Sequence, residues 1–226
     1  VFGDDITWSR VYHSGYSPRP VTPDPLASLA DAWTGLGWYH SFGSRLEFRG
    51  APSDPSSEMA FVREDGRAIH FFRQSDGTYQ PEPGRHTQLL ATGTAAGGFF
   101  VDDITGVHYE FAPDGRLLRR KNPNHRGLTF VYASPTSGVP RRLICVHNDS
   151  GQAVTLVPLG LLVGQLRFGP TCGTATQTLV EFAYDMTIAR APLLTRVTYP
   201  GTGSAWTYVN DGGLLRNKIT EVQFGE

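Results

Sequence analysis

From about residue 107 to its end the chain repeats one unit: an alternating aromatic strand, a polar turn, then a Leu-containing strand that closes on another turn. A repeat decides architecture before any single residue does, because each unit has to bury its apolar face against its neighbours. The aromatic strands are VHYEF (107–111), LTFVY (128–132), AVTL (153–156), LVEFAYD (179–185) and AWTYVN (205–210). Their anchors are Tyr109, Phe130, Val154, Phe182 and Trp206, at irregular separations of 21 to 28 residues. RLLRRKN (116–122), RRLICVHND (141–149), LLTRVTYP (193–200) and LLRNKITEV (214–222) follow or precede them at hairpin distance. Apolar residues at every second position bounded by turn residues read as strands, so the second half is a hairpin array.

The totals agree with an all-β chain. At 226 residues it is long enough to bury a substantial core, and 26 Gly and 16 Pro with 18% charged residues suit many short strands joined by turns. The formal net charge is −1, so no global field draws the chain to nucleic acid or an anionic membrane. The longest apolar run, 157–164, contains Pro158 and Gly160 and is too short to span a bilayer. Two cysteines, Cys145 in an apolar strand and Cys172 in a Gly/Thr-rich stretch, permit one disulfide without requiring it. The chain starts at Val1 and ends at Gly225–Glu226 inside the repeat pattern, as a piece of something longer is expected to.

Residues 1–57 are expected to form an N-terminal strand and linker segment leading into the sheet. DITWSRVYHSGY (5–16) reads as a strand, Pro18 to Pro25 as an extended arm, and 25–34 as at most one short helix. Asp24 would cap that helix, Pro25 would open it, and Leu26, Leu29, Ala30 and Trp33 would line one face. GLGWYHSFGSRLEF (35–48) returns to strand character before a Pro/Ser loop. Residues 58–226 are expected to be one continuous hairpin array. Asp65–Gly66, Asp76–Gly77, Thr105–Gly106 and Asp114–Gly115 sit between apolar segments, and Asp-Gly supplies the positive φ that a tight hairpin needs.

At these residues the chain resembles the bacterial RHS, or YD-repeat, family, in the region that opens the repeat array. The likeness lies in TWSRVYHSGYS, in GLGWYHSF (35–42), in FVREDGRAIHFF, and in GVHYEFAPDGRLLRRKNPNHRGLTFVY, in that order. The Tyr-Asp pair that names the repeat survives at Tyr184–Asp185, while Tyr132–Ala133 and Asn210–Asp211 are degenerate and 157–177 interrupts the spacing. The resemblance implies an antiparallel sheet spiralling into a hollow shell around a C-terminal toxin or effector segment. It also implies a secreted or extracellularly delivered protein, whose partners are the rest of the shell, the enclosed segment and a secretion-system component.

Chemistry is sparse in the sequence. The histidines at 13, 40, 70, 86, 108, 125 and 147 never fall at metal-ligand spacing, so no metal or cofactor is expected and the imidazoles read as sheet-face or core residues. His40, beside Trp38 and Tyr39, is the one placed to tie strands together. No G-x-S-x-G elbow occurs, and GTAAGGFF (93–100) lacks the Lys and the following helix of a phosphate loop. Asp4–Asp5, Asp102–Asp103, Glu110 and Glu181 are candidates for a glycosidase pair, although acids at strand ends are usually turn formers. The basic run RLLRRKNPNHR (116–126) lacks the interleaved aromatics of a nucleic-acid platform and reads as a solvated or salt-bridged strand face.

Three functions follow. The first is a non-enzymatic wall section of an RHS-type toxin, with no catalytic residue. The second is a secreted adhesion or glycan-binding module, which an outward row of Trp33, Trp38 and Trp206 would favour. The third is an all-β glycoside hydrolase, which clustered carboxylates would favour. A repeat array cut at a strand also leaves a raw edge, so association through the last strand is expected.

Overall fold

In the computed structural model the described residues are 6–12, 38–49, 57–92, 97–134, 141–160, 162–186, 193–210 and 219–225. The arm at 18–25, the helix expected at 25–34 and most of the strand expected at 214–222 lie outside them. Among the described residues every regular element is a strand. A two-stranded ribbon pairs β1 (Arg10–Tyr12) with β2 (Trp38–His40). The other sixteen strands, β3 to β18, form one antiparallel sheet in which each strand neighbours the next in sequence.

The first of these are β3 (Arg45–Arg49), β4 (Glu58–Val62), β5 (Ala68–Arg73), β6 (Tyr79–Pro81), β7 (Gln88–Ala91), β8 (Phe99–Asp102), β9 (His108–Phe111) and β10 (Leu117–Lys121). There follow β11 (Gly127–Tyr132), β12 (Leu143–Asn148), β13 (Ala153–Leu159), β14 (Leu162–Gly169), β15 (Gln177–Asp185), β16 (Leu193–Tyr199), β17 (Ser204–Asn210) and β18 (Ile219–Gly225). The meander read from the sequence is present, with β7 and β14 added to the strands its words supplied. Residues 157–177 are not an interruption: β14 pairs along β13, Leu156 opposite Leu166 and Val154 opposite Phe168.

Six hairpins close with one turn. In 63–67, 74–78, 103–107, 112–116, 122–126 and 148–152 the first residue's N–H donates to the carbonyl of the fifth, and the fourth residue's N–H donates back to the first. The fourth residue has positive φ each time: Gly66, Gly77, Gly106, Gly115, Gly151 and, alone without glycine, His125 at 60°. This is a type I turn followed by a left-handed residue, so the Asp-Gly words mark the hairpins while Asp itself keeps negative φ. Asp65, Asp76 and Asp114 instead accept the N–H two residues on.

The sheet is not flat. Phe61 on β4 packs against Tyr109 and Phe111 on β9, with ring centroids 5.0 and 5.8 Å apart. Those strands are five places apart, about 24 Å across a flat sheet. Likewise Leu46 donates its N–H to the Gly115 carbonyl at 2.9 Å, and Arg45 forms an isolated bridge with Arg116, so β3 meets the β9–β10 turn. A Cβ on Gly115 would stand 2.1 Å from the Leu46 oxygen, so glycine is required by contact as well as by φ. Arg63 and Asp103, in the turns after β4 and β8, add a polar tie at 3.5 Å across the same curl.

The second half curls over the ribbon. Phe42 reaches Phe130 on β11, Trp8 reaches Phe182 on β15, and Trp38 reaches Tyr208 on β17, at 6.2, 6.0 and 5.0 Å. One core cluster runs from Trp38 and Phe42 through Phe61, Tyr109, Phe130, Val154 and Phe182 to Tyr208. Four of the five anchors read from the repeat therefore face one continuous interior, and the fifth, Trp206, lies in line with them but is 37% exposed.

Candidate functional site

The inner face under the ribbon is the most chemically distinctive region. His40 is buried, stacks on Trp8 with centroids 4.8 Å apart, and accepts the Phe42 N–H on Nδ1 at 3.2 Å. Burial, and then the nearby charge of Arg45, push its pKa down to about 3. It is thus a neutral imidazole serving as a core residue, the tying role expected from the sequence. Ser41 completes the entry to the ribbon: its hydroxyl donates to the Thr7 carbonyl and accepts the Ser9 N–H.

Arg10 is the cation of this interior. Its guanidinium lies 5.2 Å from the Trp38 ring and 5.8 Å from the rings of Phe182 and Tyr208. Nη2 donates to the Tyr208 hydroxyl at 3.1 Å, while Nη1 is buried without a partner, as is Nε1 of Trp8. Three aromatic faces attract the charge by their quadrupoles, which partly offsets the lost hydration. Burial raises the pKa of Tyr184 on the same wall, whose hydroxyl donates to the Val163 carbonyl.

The other candidate residues lie along the sheet, with Asp102, His108 and Glu110 forming one cluster on β8 and β9. His70 pairs through Nδ1 with Glu58, and His108 pairs through Nδ1 with Asp102 at 2.5 Å. His86 and His125 are exposed in loops, and His147 is half-buried on β12. No three His, Cys, Asp or Glu side chains among the described residues gather at metal-binding distance. Asp103 is buried and holds its own turn, accepting from the Ile104 N–H and from the hydroxyls of Thr87 and Thr105. Glu110 receives Lys121 at 2.6 Å, and Glu181 receives the Gln165 amide. These two glutamates sit on β9 and β15, six places apart in the strand order. Of the acids considered for a glycosidase pair, Asp102 and Glu110 flank one imidazole, His108, at 2.5 and 3.8 Å, Asp103 is tied into its own turn, and Glu181 lies on β15; Asp4 and Asp5 lie outside the described residues.

The basic run is dispersed. Arg116 bonds Asp114 at 2.7 Å and lies 4.7 Å over the Tyr132 ring, and Lys121 is paired with Glu110. Of the three tryptophans whose outward alignment would favour glycan binding, Trp38 is on the ribbon with its ring buried against Tyr208, and Trp206 shares the inward row of Val197; Trp33 lies outside the described residues.

Sequence reasoning left the cysteines open, and the structure joins them. Cys145 and Cys172 form a disulfide with Cα atoms 5.7 Å apart. Cys145 stands opposite Thr155, whereas its neighbour Val146 stands opposite Val154 in the core, so the sulfur lies on the outer face. The loop after β14 folds back to reach it, bringing Ala175 against Gly169, where an added Cβ would stand 2.6 Å from the Ala175 Cα. No sequence signal beyond an even count pointed to this bridge, because one partner lies on β12 and the other in the loop after β14.

Residues 5–71 match a protein-family model described as a domain of unknown function, DUF6531. Comparison with curated proteins finds no match. Among solved structures the chain is similar to the N-terminal domain of the effector protein SpvB from Salmonella typhimurium strain LT2. That likeness has 10% identity and a TM-score of 0.44, over 96% of this chain and 93% of that one. At this level it carries no argument about function.

Proposed function

We propose that this chain is a non-enzymatic section of the β-wall of an RHS-type bacterial toxin, shielding a C-terminal toxin or effector segment. The observation that carries the reading is the unbroken sequential meander of sixteen strands with its aromatic side turned inward and curled. A sheet buried on one face has to be covered or has to bend around something, and this one does both, using the ribbon as filler. The resemblance in GLGWYHSF and in the hairpin words supplies the family, and the wall's work in this reading is exclusion of solvent and targets rather than chemistry. The Cys145–Cys172 bridge supports folding in an oxidising, extracytoplasmic setting.

The test is limited proteolysis of the full-length gene product, compared with its Phe61→Asp variant. A C-terminal segment that resists protease in the parent and is cut rapidly in the variant is the expected result. Equal cleavage in both contradicts a shielding wall. The adhesion reading asks for an outward aromatic row, and neither Trp38 nor Trp206 provides one.

A further inference from the structure

The loop between β14 and β15 is held to the wall by one covalent bond. Residues 170–176 are exposed apart from Ala175, which is half-buried, and none belongs to the aromatic core. Among the described residues the loop's hydrogen bonds are its own: Thr174 donates its N–H to the Thr171 carbonyl at 3.3 Å, and the two threonine hydroxyls meet at 2.7 Å. Its tie to β12 is the bond from Cys172 to Cys145.

The two ends of that bond differ in access. Cys145 points to the outer face yet is 1% exposed, because the loop lies over it, whereas Cys172 is exposed within the loop. Thr155, the cross-strand neighbour of Cys145, has its hydroxyl oxygen buried without a partner, a cost that lifting the loop would relieve. The ladder beneath holds without the loop: Leu156 stands opposite Leu166, and Leu166 opposite Val180, all three buried. Breaking the bond therefore frees the loop before it disturbs the strands, since local opening follows the segment with fewest buried contacts.

We propose that the Cys145–Cys172 bridge is a thiol-operated latch: oxidised, it keeps the 170–176 loop over β12, and reduced, it releases that loop alone. The partner is a dithiol reductant. One of its thiolates attacks Sγ of Cys172, the cysteine on the exposed loop, and expels Cys145 as a thiolate. Its second thiol then displaces Cys172 and leaves as the reductant's own disulfide. Two electrons and the two protons of the dithiol end on the two cysteines. A chain folded under oxidising conditions and then met by such a reductant keeps its wall and loses the cover over β12. The inference rests on the loop and the bridge, so it stands or falls apart from the shielding reading.

The test treats the full-length gene product with dithiothreitol, without denaturant, and follows proteinase K cleavage and amide hydrogen exchange. Reduction should raise cleavage and exchange within 170–176 by about tenfold or more, leave exchange over 153–159 and 177–185 within about twofold, and reverse on reoxidation. The double variant Cys145→Ala with Cys172→Ala should have an open loop from the start and be indifferent to dithiothreitol, which assigns the effect to this bridge. A bridge that resists dithiothreitol in the folded chain, a loop equally protected after reduction, or protection lost over 153–159 and 177–185 together with the loop would each overturn the proposal.

Discussion

The two halves of the sheet solve one packing problem differently. Strands β3 to β10 curl until they fill themselves: Phe61 meets Tyr109 and Phe111, Phe48 meets Phe99, and the first edge closes on Gly115 and Arg116. Strands β11 to β18 do not meet their own far side through any such aromatic pair among the described residues. They bend around the ribbon and the residues flanking it, which supply Trp8, Arg10, Trp38 and Phe42 as filler, and are stapled outside by the disulfide. The contrast shows that curvature in a meander needs an interior partner, and that a wall without enough aromatics of its own borrows one from the N-terminus.

Breaking the self-filled half should cost most. Phe61→Ala removes a fully buried ring with partners on both sides of the curl, and should lower stability by about 3–5 kcal/mol in denaturant unfolding. Loss below about 1 kcal/mol would mean that the β4–β9 contact is not a core contact. In the borrowed half, Cys145→Ala with Cys172→Ala opens a bridge spanning 27 residues and should cost about 2–4 kcal/mol. Thermal melts of both variants show which half sets the global transition.

The polar tie of the first half is a smaller lever. Asp103→Asn keeps the shape but removes the charge facing Arg63 and should cost about 1–3 kcal/mol, discounted because the arginine side chain is one-third exposed. The borrowed half should instead respond to pH through His40. Its folded pKa of about 3 lies below the unfolded value near 6.5, so the unfolded chain binds the proton first. The neutral-imidazole stability is complete above about pH 6.5 and drains as pH falls toward about 3, at up to about 1.4 kcal/mol per pH unit. A His40→Gln variant should flatten that part of the Tm–pH curve, and an unchanged slope would place the acid sensitivity elsewhere.

The smallest change sharpens the turn argument. His125 adopts the left-handed conformation that five glycines fill in equivalent turns. His125→Gly should therefore stabilise by about 0.5–1 kcal/mol, read as a rise in Tm.

Much of the sheet was legible because its signals are local. Alternation located β9, β11, β13, β15 and β17, and Asp-Gly or Thr-Gly pairs located the turns. β14 was hidden because Pro158 and Gly160 break the apolar run at the hairpin tip, while its own alternation is interrupted by Gly164. The ribbon's position over β11, β15 and β17 was not legible, since contacts between Arg10 and Tyr208 span 198 residues and leave no periodic trace. The disulfide was illegible for the same reason. His40 was singled out by its aromatic company, but its neutrality depends on burial that only packing decides.

Ring-to-ring nuclear Overhauser contacts in selectively labelled protein test the central claim, that one sheet curls twice around an aromatic interior. The account predicts cross-peaks between Phe61 and Tyr109 and between Trp38 and Tyr208, whose centroids are each 5.0 Å apart. Intact strand pairing with both cross-peaks absent would mean a flat or differently filled sheet and would contradict it.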